Sequence, residues 1–197
     1  MKHLKMLGFA AMAALGLMAF VGAGTASATT LATNSAGTVK YAAGTTFHAT
    51  LETGTSTTWT DTSGNTIATC TVSTVHGTIG TATGTWVGAN IGTLTWENCS
   101  QTTDTVNTGS LEFMQTTGDE ATVVGKGSNW TQQIFGVSCT YGFGEGTTLG
   151  TMTGGEAPTL KITATIPKTA GGFLCPSTSI IHAAYIFTSP HALHFVS

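Results

Sequence analysis

The residues best equipped for chemistry in this chain are its histidines, its few carboxylates and its four tryptophans. His191-Ala-Leu-His194 has the H-x-x-H form. On a strand, positions i and i+3 point to opposite faces, so only a turn after Pro190 would bring the two rings together. Zinc would also need a third ligand and groups to orient it, which the sequence does not supply, so both histidines are expected to face solvent. His182 lies in an apolar run and is expected to be a core histidine with a satisfied ring. No metal ligand and no cofactor is assigned.

Asp119 and Glu120 are adjacent, whereas a glycosidase needs two carboxyls about 5–9.5 Å apart across a cleft. Beside Gly118 the pair reads as a turn. No G-x-S-x-G elbow occurs, and Ser138 falls mid-strand among small residues. No catalytic residue is assigned. Trp59, near a turn, and Trp130, in a polar stretch, are the candidates for ligand stacking, because an exposed indole can lie against a sugar ring. Trp86 and Trp96 are read as core.

The elements that would carry these residues are strands. Side chains alternate across a strand, and apolar groups recur at every second position in several segments. Phe47, Ala49 and Leu51 alternate with His48, Thr50 and Glu52; Leu160, Ile162, Ala164 and Ile166 alternate with Lys161, Thr163 and Thr165. Ile134 to Phe143 puts Phe135, Val137, Cys139, Tyr141 and Phe143 on one face and reads as a single core strand. Ile67 to Ile79 reads as a strand with a bend, and Asn90 to Asn98 as another. Ile180 to Thr188 is apolar on both faces and is expected to be covered on both sides. Asp61 to Asn65 and Pro167 to Gly172 are read as turns, and Ser100 to Gly109 as a polar loop. No helical period is sustained after residue 28. Roughly nine to ten short antiparallel strands with Gly and Pro turns indicate an all-β domain, a β-sandwich or small barrel, over 29–197.

The first 28 residues read as a signal peptide, with Lys2, His3 and Lys5 before an apolar run from Leu7 to Val21 and Ala26-Ser27-Ala28 at the cut. Cleavage would leave no stable membrane anchor. Lys40, Lys126, Lys161 and Lys168 then face nine Asp and Glu, with no arginine anywhere, which argues against nucleic acid as a partner. Cys70, Cys99, Cys139 and Cys175 contain no C-x-x-C pair and behind a secretory leader read as two disulfides. Three pairings are open; neighbours in sequence usually pack as neighbours in space, which favours Cys70–Cys99 with Cys139–Cys175.

Cys70-Thr-Val-Ser-Thr-Val-His-Gly-Thr, Leu94-Thr-Trp-Glu-Asn-Cys99, Val137-Ser-Cys-Thr-Tyr141 and Leu174-Cys-Pro176, followed by Ala184-Tyr-Ile-Phe-Thr-Ser-Pro190, resemble a group of small secreted actinobacterial proteins of unknown function. The resemblance implies secretion and a disulfide-bearing β-sandwich, and carries no activity. The residues themselves lead to a secreted, non-enzymatic binding or structural module at the cell envelope, with a glycan or envelope component as the partner class. A carbohydrate-binding or pore-forming surface protein is the second reading and a secreted hydrolase the third.

Overall fold

The computed structural model describes residues 29–83, 86–101 and 103–196. The expected signal peptide lies outside them. The described chain is all strand and turn, with fourteen strands rather than nine or ten. In order they are β1 (Thr30–Ala32), β2 (Thr46–Leu51), β3 (Thr57–Thr60), β4 (Thr66–Thr83), β5 (Trp86–Cys99), β6 (Thr103–Asn107) and β7 (Ser110–Thr117). β8 (Glu120–Lys126), β9 (Ser128–Ile134), β10 (Val137–Phe143), β11 (Thr147–Thr153), β12 (Thr159–Ala170), β13 (Thr178–Ser189) and β14 (His194–Val196) follow.

Eight staves close into an antiparallel barrel. β13 pairs with β12 on one side; on the other it meets β3 through Ile180–His182 and β2 through Tyr185–Ser189. Both short strands also pair with β4, so together they make one stave. The wall then runs β4, β5, β7, β8, β11 and back to β12. Of the two architectures the sequence left open, the barrel is the one formed.

Closure is dictated by the side-chain pattern. Phe47, Val75, Val87, Phe113, Val123, Met152, Leu160 and Tyr185 point inward and are buried. The alternate positions carry mostly threonine, whose β-branch suits a strand and whose hydroxyl stays wet. Gly150 sits at the irregularity where β11 shifts register against β8, and its φ of +156° is one that side chains rarely adopt.

β12 outruns β11. Its last residues pair with β10 instead (Lys168 with Tyr141, Ala170 with Thr140), and β9 and β6 add to β10 in turn. These three strands form a flap on the barrel. At the opposite end β1 and β14 form a two-stranded ribbon that buries Leu31 and Phe195, the latter ring 6.2 Å from Phe113.

Both favoured disulfides are present. Cys70 and Cys99 face each other in register across β4 and β5, and Cys139 ties β10 to Cys175 in the β12–β13 connection.

Several expectations are corrected. Ile134 to Phe143 is not one strand: the chain reverses at Phe135 and Gly136, both at positive φ, and Phe135 projects into solvent at 85% exposure. The polar stretch read as a loop contains β6, and β12 continues through the expected turn at Pro167, which pairs with Thr178. β13 has one buried face only, because no second layer of described residues packs on its outer side; His182 is exposed rather than core.

Candidate functional site

A cavity of about 80 Å³ lies where the flap meets the barrel. β7 pairs with β5 only through Trp86–Asn90, so from Ile91 onward β5 has no barrel neighbour on that edge. The backbone N–H of Ile91 donates to Gly109 O, and beyond it β9 comes up opposite, bringing the Trp130 ring 5.7 Å from that of Trp96. Ile91, Leu94, Phe143 and Ile162, all only partly buried, line the space together with the buried Leu149, Leu160 and Ile181. The lining is overwhelmingly apolar, with Thr108, Ser110 and Ser128 its small polar groups. Gly125 makes room for two of the lining side chains: a Cβ there would stand 2.5 Å from the Phe143 ring and 2.6 Å from Leu149.

Tyr185 also lines this cavity. Its hydroxyl lies 2.9 Å from Ser73 Oγ, which itself donates to Thr95 O at 2.7 Å, so the tyrosine is the donor to Ser73. Burial raises the Tyr185 pKa, and the hydrogen bond with Ser73 offsets part of that rise. Tyr141 is pushed up to about 12 by burial. Both phenols are neutral at ordinary pH, so the site presents apolar surface and hydroxyl dipoles rather than charge.

The tryptophans read from sequence as ligand-stacking groups are in the interior. Trp59 is 0% and Trp130 2% exposed, in an edge-to-face row with Trp96 in which Trp59 and Trp96 lie 5.1 Å apart. Stacking on a sugar at the protein surface is therefore not open to them. Trp86, read as core, is instead partly exposed on the outer face, with Lys126 Nζ 5.6 Å from its ring centre. A turn or polar residues nearby in sequence did not reveal which way these rings point: Trp59 shares its buried face with Thr57, and Trp130 shares its own with Ser128 and Gln132.

His194 is likewise misplaced by sequence reasoning. His191 is exposed as expected, but His194 is buried, its Nδ1 2.8 Å from Asp119 Oδ2 and its Nε2 3.4 Å from Glu156 Oε1. The other Asp119 oxygen accepts the Phe195 N–H at 2.9 Å. Asp119 does occupy the expected turn, but it also anchors the ribbon strand β14. Burial alone would lower the His194 pKa; hydrogen bonds to Asp119 and Glu156, and their charges, outweigh it and raise it. A histidine whose pKa is raised on folding adds stability below its unfolded pKa of about 6.5 and loses that contribution as pH rises through the folded value. The stability difference between wild type and His194→Gln, from urea titrations between about pH 6 and about pH 9, is accordingly expected to shrink as pH rises. A difference that is flat or grows with pH would contradict the arrangement.

Among the described residues no group of three or more His, Cys, Asp and Glu is arranged to hold a metal ion. No protein-family model matches this chain, and no curated protein or solved structure matches it either.

Proposed function

We propose that the protein is a secreted, non-enzymatic binding module of the cell envelope that takes an apolar group of its partner between the barrel and the flap. The observation that carries this reading is the apolar cavity bounded by Leu94 and Trp96 on β5 and Trp130 on β9. At about 80 Å³ it is roughly half the size of an engineered cavity that admits benzene, so it suits a chain end or ring edge rather than a whole ligand. Transfer of such a group out of water contributes about 25 cal/mol per Å² buried.

Oxidised cysteines support an extracellular location, since disulfides persist in oxidising compartments. The outer face argues against a pore. Thr50, Thr74, His76, Thr122, Thr151, Lys161 and Thr163 occupy it, whereas a membrane barrel turns an apolar band outward.

Titration of the protein with hexan-1-ol and with toluene, followed by tryptophan emission, tests the reading. Saturable binding of at least one probe is expected for the wild type. Ile162→Phe, which fills the cavity from β12, should weaken it by about tenfold, the loss expected when roughly 1.4 kcal/mol of contact is removed. No saturable response in the wild type, or an unchanged one in Ile162→Phe, would refute the proposal.

A further inference from the structure

The outer face of β2 and β4 is a ladder of threonine pairs interrupted at one rung. Thr46 lies opposite Thr78 and Thr50 opposite Thr74; between them His48 lies opposite His76. The two imidazoles lie tilted against each other, ring centres 4.0 Å apart and planes inclined by 36°. His76 is exposed and His48 half-buried, so the pair is open to solvent from one side.

A third residue sets the chemistry of the pair. His48 Nδ1 is 2.6 Å from Thr188 Oγ1, and that hydroxyl is also placed to donate to His48 O at 3.3 Å. A hydroxyl has one proton. Both contacts are satisfied together only when Thr188 donates to the carbonyl and accepts from an Nδ1–H. The Nε2 of His48 then carries the lone pair, and the ring is held in one orientation by a hydrogen bond at its other nitrogen. Histidines that bind metals are prepared in this way.

We propose that His48 and His76 form a two-histidine site for a late first-row divalent cation, with water completing the coordination. Two imidazoles sharing one metal at nitrogen distances of about 2.0–2.1 Å need ring centres about 4.5–5 Å apart. With His48 held by Thr188, it is the exposed His76 ring that turns to open the observed 4.0 Å to this spacing. Neutral imidazole suits Cu(II), Ni(II) and Zn(II), and across these ions Cu(II) binds a given nitrogen site most tightly. With two protein ligands instead of the four of a structural zinc, the ion is exchangeable and reports on its supply outside the protein. Once bound, it ties β2 to β4 and stabilises the fold by mass action.

The test is calorimetric titration of the protein, expressed without a histidine tag, with CuCl2, NiCl2 and ZnCl2 near neutral pH. One ion per chain is expected, tightest for Cu(II). His76→Thr and His48→Thr extend the flanking threonine ladder, so they preserve the strands, and each should weaken binding at least about tenfold. Thr188→Val, which removes the orienting hydroxyl, should weaken it by a smaller factor and leave the stoichiometry unchanged. His182→Ala and His191→Ala should have no effect. The paramagnetic resonance spectrum of the Cu(II) form should show coupling to two nitrogens in the wild type and one in His76→Thr. Failure of all three ions to saturate the wild type, retention of full affinity by His76→Thr, or loss of binding in His182→Ala would each overturn the proposal.

Discussion

Exchange of Cys139 and Cys175 together for alanine is expected to lower the unfolding free energy by about 3–4 kcal/mol. The bridge closes a loop of 36 residues, and in the chain-entropy model the stabilisation grows slowly with loop length. Both sulfurs are buried, so the double alanine variant also loses packing. Against a total of about 5–15 kcal/mol for a domain, this is a large fraction. The loss should begin in the flap. Cys139 lies on β10, whose strand pairing to the barrel among the described residues is confined to the end of β12, while β9 and β6 hang from β10. Urea titration measures the total, and amide exchange locates it, with β9 and β10 expected to lose protection before β4 and β5. A denaturation midpoint matching the wild type would show that the bridge does not restrain the unfolded chain as the model requires.

Trp59→Ala is expected to cost about 3–5 kcal/mol, the range for removal of a large aromatic from a packed core. Trp59 has no exposed surface, stands edge-to-face against Trp96 and pairs in register with Ile181 on one side and Ala68 on the other. Truncation leaves a void that these strands, hydrogen-bonded on both edges, cannot collapse to fill. Trp86→Ala, on the outer wall, should cost much less. Thermal or urea unfolding of the two variants side by side is the measurement. If Trp59→Ala unfolds like the wild type while Trp86→Ala does not, the inward and outward faces are assigned the wrong way round.

Much of the strand map was legible because alternation is local. Leu160 to Ile166 and Phe47 to Leu51 show a period of two over a few residues, and each is a strand with those residues turned inward. The turn at Asp61 was legible for a similar reason: its carboxylate accepts the N–H groups of Ser63 and Asn65, a contact that spans only four residues. The break at Phe135 was hidden because the apolar period of two runs straight through it, from Phe135 into Val137 and Cys139. A reversal needs only two residues at positive φ, and Phe135 carries none of the usual signals for that conformation. β6 was hidden by its polarity, since a strand at a sheet edge has one neighbour and no obligation to be apolar.

The candidate sites were less legible than the strands. Asp119 and His194 are 75 residues apart, and His48 and Thr188 are 140 apart; no local pattern links either pair. The cavity beside Trp130 exists because β12 passes from one neighbour to another partway along its length, a change that pairing register alone decides.

By itself the sequence determined that this chain forms antiparallel strands with threonine on one face and apolar groups on the other, joined by paired cysteines. Only the tertiary structure decided that those strands close into a barrel with a flap, that Trp59 and Trp130 are inside it, and that histidines distant in sequence acquire partners. Alternation is a property of neighbouring residues. Closure and long-range contacts depend on which strands pair and in what register, and those choices are settled by the packing of the whole chain at once.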